Sequence, residues 1–194
     1  MLQYLVFLGA AVNLTLTSLY IRDMLRGNTK PNRVSYLMWT LAPFIGTAAA
    51  LADGVRWAVL PVFIAGFAPL MVLVASYANP KAYWKLEPFD YLCGACSLLA
   101  LVLWAITKEP LIALIFAIIA DSFALIPTLI KSWNYPETEY GLSYVGSIFS
   151  GLTAFFAIKT WNMSEYAFPI YIVAANSLLC FAIYRHKLTR MLTL

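Results

Sequence analysis

Residues 13–36, NLTLTSLYIRDMLRGNTKPNRVSY, and residues 121–144, DSFALIPTLIKSWNYPETEYGLSY, are two versions of one pattern separated by an offset of 108 positions. Each begins on a polar residue inside an apolar run, Asn13 or Asp121, and each ends on a Ser-Tyr pair, Ser35-Tyr36 or Ser143-Tyr144. The same ungapped shift superimposes Ala49 on Ala157, Pro61 on Pro169, Ile64 on Ile172 and Leu70 on Leu178. Met1 to about Tyr77 and about Leu111 to Arg185 thus read as three apolar segments each, with a single further segment, Asp90 to Thr107, between them. Repeated helical units place a substrate path at the interface between the copies, so the pattern points toward a transporter-type architecture.

Of the 194 residues, 62% are apolar and 11% charged, far from the roughly one-quarter charged composition of soluble domains. Apolar runs of about 17 to 25 residues match a hydrocarbon core roughly 30 Å thick. Seven such runs are predicted: Leu2 to Ile21, Ser35 to Ala52, Trp57 to Ala78, Asp90 to Thr107, Leu111 to Ile130, Leu142 to Thr160 and Tyr166 to Tyr184. The expected fold class is an all-α membrane protein with seven transmembrane helices in a 3+1+3 order. Its predicted divisions are residues 1–79 for the first repeat, 80–109 for a linker carrying helix four, and 110–194 for the second repeat with a cytoplasmic tail. The start, Met1-Leu2-Gln3-Tyr4, lacks the basic region of a signal peptide, so the first run is read as helix one.

The net charge of +4 is explained by the distribution of basic residues. With the N-terminus outside, ten Lys and Arg fall on the inner side, among them Arg22, Arg33, Lys81, Lys131 and Arg185, and three, Arg56, Lys108 and Lys159, fall outside. The positive-inside bias therefore predicts a multi-pass protein with its N-terminus outside and its C-terminus in the cytoplasm. Three helices reverse the direction of the chain, and helix four restores it, so the two repeats are predicted to run parallel about an axis normal to the membrane. Cys93 and Cys96 share a face of helix four with Gly94 and Ala95, a small-residue contact rather than a metal or redox site.

The segment Ile126-Pro127-Thr128-Leu129-Ile130-Lys131, followed by Gly141-Leu142-Ser143, resembles the proline-glutamine signature and following helix start of the SWEET and SemiSWEET sugar transporters and the wider PQ-loop clan, with Thr128 in the place of the glutamine. The first repeat has Leu19-Tyr20 at the corresponding position. The resemblance implies an alternating-access carrier, acting as a facilitator or coupled to protons, for a small polar solute, sugar-like in the best-known members. It also implies that Asn176 and the rings of Phe155 and Phe156 contact substrate, and that Pro127 belongs to an inner gate. Ala68 occupies the position equivalent to Asn176, so the familiar pair of asparagines is incomplete.

Asp121 lies midway along helix five, where an acid is costly and usually faces the bundle interior or water. It is the proton-coupling candidate; the alternative is a structural acid hydrogen-bonded to a neighbouring helix. Asn13, at the equivalent position, is the second polar candidate for substrate binding. Thr17 and Tyr20 continue its stripe at helical spacing, and Tyr20, Thr128 and Pro43 join Pro127 as gate or hinge candidates. Ser143, Ser147 and Ser150 form a stripe read chiefly as close packing. Pro61, Pro69 and Pro169 are further predicted interior prolines, and Trp39, Trp84, Trp104 and Trp133 are read as interfacial belt residues. No phosphate-binding loop, metal cluster or nucleophile-base pair is present in the sequence, so neither an enzymatic activity nor a cofactor or metal is expected. The expected partners are a small polar solute and the lipid bilayer, without nucleic acid; a homo-oligomer is left open. The second reading is a non-transporting PQ-loop-like membrane receptor or assembly factor.

Overall fold

The computed structural model describes residues 4–52, 60–107, 110–158 and 163–192. Arg56, Lys108 and Lys159, expected on the outer side, lie outside these. The described residues form seven α-helices: α1 (Leu5–Leu25), α2 (Arg33–Ala52), α3 (Leu60–Ala75), α4 (Pro88–Ile106), α5 (Pro110–Asn134), α6 (Gly141–Ala154) and α7 (Met163–Leu192). Prolines start α4 and α5, where the missing N–H breaks no helical bond. Gly27, at φ +84°, ends α1 and donates its N–H to Met24 O at 2.8 Å; the left-handed backbone suits glycine there.

Segments within α1, α5 and α7, Leu5–Leu25, Leu114–Asn134 and Tyr166–Arg185, are long and apolar enough to cross a membrane. Val62–Ala75, Pro88–Leu103 and Gly141–Ala157 are shorter apolar stretches. Seven full-length runs were expected; in length and apolarity three helices meet that measure among the described residues. One reason is visible in α6, which stops at Ala154 and tightens into a 3₁₀ turn, Phe155–Ala157. Pro43, Pro69, Pro127 and Pro169 are interior to their helices as expected, and Pro61 lies at the start of the described part of α3.

Polarity is distributed inside out relative to a soluble bundle. Leu92, Leu99 and Leu178 are more than half exposed, while Ser35, Ser132 and Thr128 are fully buried. Such helices cannot bury an apolar face against each other alone; their outer faces suit an apolar surrounding.

In the first triple α3 packs on both α1 and α2; in the second α7 packs on both α5 and α6. Between the triples α1 pairs with α6 and α2 with α5, while α4 lies against α5 and α2. The ends are fixed by specific bonds. The Asn32 amide oxygen accepts from Val34 N and Ser35 N at 3.1 and 3.3 Å, capping α2, while its Nδ2 donates to Asp90 Oδ1 at 2.9 Å at the start of α4. Asn79 Nδ2 donates to Leu25 O at 2.9 Å, satisfying a carbonyl at the end of α1. Lys30 N donates to Thr138 O at 2.9 Å, joining the α1–α2 and α5–α6 connections. The last turns of α1 and α5 and the first turns of α2, α4 and α6 therefore share one end of the bundle, the loop end.

Close helix approach requires glycine at two places. A Cβ on Gly9 would lie 2.1 Å from Thr153 Oγ1 and 3.1 Å from Ser150 Cα, and one on Gly141 would meet the Tyr184 ring at 2.5 Å. Gly9→Ala is expected to separate α1 from α6 and destabilise the protein by about 1–3 kcal/mol, the usual cost of overpacking. Thermal unfolding in detergent checks this, and adding Thr153→Ala, which removes the nearer clash, should restore part of the loss.

Candidate functional site

A cavity of about 750 Å³ lies between the two triples. Its walls come from all seven helices, but α4 contributes only Leu101. Alanine, valine and proline make much of the surface. The cavity runs from Tyr20, Tyr36 and Tyr144 at the loop end to Val6, Val62 and Phe168 toward the opposite end. Its carboxylate and amides, Asp121, Asn13 and Asn176, come from α5, α1 and α7, and hydroxyls are added by Thr17 on α1 and Ser143, Ser147 and Ser150 on α6.

Asp121 is oriented from two sides. Tyr171 on α7 donates its hydroxyl to Asp121 Oδ2 at 2.7 Å, and Ser122 Oγ lies 3.2 Å from the same hydroxyl while donating to Ile118 O at 2.7 Å. Trp39 on α2 also reaches the carboxylate. On the α1–α6 side, Asn13 Nδ2 donates to Ser147 Oγ at 3.1 Å, and Thr17 Oγ1 donates to Asn13 Oδ1 at 3.4 Å. Asn176 Nδ2 donates to Ile172 O at 2.8 Å, one turn back along α7. These bonds hold each side chain in a defined rotamer on the wall.

The floor at the loop end is a buried polar cluster. Lys131 Nζ pairs with Glu139 Oε1 and also donates to Lys30 O, and it lies 5.2 Å from the centre of the Trp84 ring. Glu139 Oε2 accepts from Tyr144 at 2.8 Å and from Tyr20 at 3.2 Å. Tyr36 lies tilted against Tyr20 with ring centres 5.9 Å apart and meets Trp39 edge-on at 5.3 Å. Groups from α1, α5 and α6 are thereby joined around one carboxylate, with Tyr36 of α2 packed beside them. A buried pair of this kind is costly to form but strongly resists removal of one partner.

Several expected residues fall elsewhere. Phe155 and Phe156 are not on the cavity wall: α6 ends before them, they occupy the 3₁₀ turn, and Phe156 is 51% exposed. Phe168 and Trp39 supply aromatic wall instead, and Trp39 is therefore not a belt residue. Pro43 and Tyr20 line the cavity. Thr128 and Pro127 are buried off its wall, with Thr128 Oγ1 donating to Ser35 Oγ at 2.9 Å in the α2–α5 seam. Lys131, counted among the loop charges in the sequence, is only 2% exposed. Trp84 contacts it and lies tilted against Tyr135 with ring centres 5.5 Å apart. Sequence reasoning missed Tyr36, Tyr144, Glu139 and Tyr171. The repeated Ser-Tyr pair was the available signal for the first two, because it marks the same helix start in both triples.

No protein-family model, curated protein or solved structure matches the chain significantly.

Proposed function

We propose that the protein is a membrane carrier for a small polar solute, not driven by ATP, that works by alternating access between two three-helix bundles. The observation that carries the reading is a cavity between the triples whose polar side chains sit in an apolar wall and whose loop end is closed by a buried polar cluster. In this reading α1–α3 and α5–α7 are parallel bundles related by an axis normal to the membrane. The pairing of α1 with α6 and α2 with α5 supports it, since it exchanges first and second helices between the copies. All seven helices then cross the bilayer, with α4 as the linker and the N-terminus outside. Arg22, Arg33, Lys81, Lys131 and Arg185 belong to the loop end, which the positive-inside bias assigns to the cytoplasm. The conformation described is thus closed on the cytoplasmic side.

Flux into liposomes containing the purified full chain tests the proposal. Solutes that raise the thermal midpoint in a screen of sugars, amino acids, amines and vitamins are expected to cross protein-containing vesicles and not empty ones. Binding without flux would support the receptor reading and reject a carrier. Asn176→Ala is expected to weaken binding of the selected solute by about tenfold, the order of one lost polar contact, while leaving the unliganded thermal midpoint near that of the parent. Unchanged affinity would remove Asn176 from the site.

A further inference from the structure

We infer that the solute is a small organic ammonium ion with an apolar body, bound with its positive head at Asp121. This rests on the cavity being the carrier's solute site and narrows the solute from any polar molecule to a cation. The first ground is charge. Among the described lining residues Asp121 alone can carry a negative charge as a carboxylate, and none is Lys, Arg or His. Lys131, below the floor, is already paired with Glu139. A neutral ligand filling the cavity would strip water from the carboxylate and leave its charge uncompensated, whereas a cation supplies the missing partner.

The second ground is the aromatic surface. Trp39, which reaches the Asp121 carboxylate, lines the cavity, with Tyr20, Tyr36 and Tyr144 at its loop end and Phe168 toward the other end. Ring faces attract ammonium groups, and Trp and Tyr are the strongest partners for that purpose. The hydroxyl of Tyr171 fixes Asp121 Oδ2 at 2.7 Å, so the carboxylate is presented in one orientation instead of sweeping the cavity. The third ground is the apolar remainder of the wall. Many of the polar groups on the wall are already bonded within the protein, Asn13 to Ser147, Thr17 to Asn13, Ser143 to Tyr140 O, and Tyr20 and Tyr144 to Glu139, so a polyol would have to displace these bonds, but a hydrocarbon or aromatic ligand body would be well covered. About 750 Å³ leaves room for such a body alongside the charged head.

The test uses the full chain in detergent and trimethyl(2-phenylethyl)ammonium, a permanently charged probe that cannot cross a bilayer as a neutral base. The comparators are 2-phenylethanol, phenylacetate and glucose. The cation is expected to raise the thermal midpoint saturably and to bind about tenfold or more tighter than the alcohol, with phenylacetate the weakest of the three phenyl compounds. Asp121→Asn should reduce the cation to the level of the alcohol, and Asp121→Glu, which keeps the charge, should retain the preference. Equal binding of alcohol or glucose and cation, or undiminished cation affinity in Asp121→Asn, overturns the inference. Should Asp121→Asn not fold, the comparison on the parent protein decides alone. Flux separates this inference from the carrier proposal: cation binding without uptake into liposomes keeps the ammonium site and rejects the carrier. Glucose uptake without cation binding does the reverse.

Discussion

Glu139→Ala is expected to destabilise the folded protein by about 3–5 kcal/mol, the cost of leaving a buried charge without its partner. Lys131 is 2% exposed and its ammonium pairs with Glu139; with the carboxylate gone, Lys30 O remains as its hydrogen-bond acceptor. The hydroxyls of Tyr20 and Tyr144 lose their acceptor at the same time. The loss is one of pairing rather than of attraction itself. The double variant Lys131→Met/Glu139→Leu should be milder than the single one, because apolar residues can replace a buried ion pair and the remaining cost is that of the Tyr20 and Tyr144 hydroxyls left without their acceptor. Chemical or thermal unfolding in detergent measures both. A single variant as stable as the parent would mean that Lys131 is hydrated at the floor, and would remove the cluster as the closure of that end.

In liposomes carrying an imposed pH gradient, the parent protein is expected to accumulate solute and Asp121→Asn only to equilibrate it. One proton coupled to one solute supports at most about tenfold accumulation per unit of pH, since one unit corresponds to about 1.4 kcal/mol. The expectation follows from what surrounds Asp121. The other ionisable groups on the cavity wall are the phenols Tyr20, Tyr36 and Tyr144, with Tyr171 behind the carboxylate, and phenols ordinarily titrate near pH 10. Glu139 and Lys131 are occupied with each other below the floor. Among the described lining residues Asp121 is then the carboxylate placed to exchange a proton with the cavity: on taking up a proton it loses its negative charge. Asparagine keeps the shape and an acceptor for Tyr171 but cannot titrate. Unchanged pH-driven accumulation in Asp121→Asn would reassign Asp121 to orienting Tyr171 and move coupling elsewhere.

Helix number, order and approximate limits were legible in the chain because apolar runs broken by Pro, Gly and charge are local properties. The 108-position offset also carried information across distance, since Asn13 and Asp121 occupy equivalent helices and both reach the cavity. Composition made the apolar exterior readable for the same reason: nearly every helix is too apolar to leave a polar face for water. The destination of individual side chains was not readable in this way. Phe155 and Phe156 read as pocket residues, but α6 ends at Ala154 directly before them, which depends on how that helix meets α1 and α7. Lys131 and Glu139, eight positions apart, read as ordinary loop charges; burial between α1, α2 and α6 makes them a pair. Trp39 likewise became cavity wall only because α2 packs on α5 beside Asp121. Periodicity along one chain specifies which face of a helix is apolar, but a site assembled from seven helices depends on their relative rotation and depth, and those are set by contacts such as Gly9 against Thr153 that only the packed structure contains.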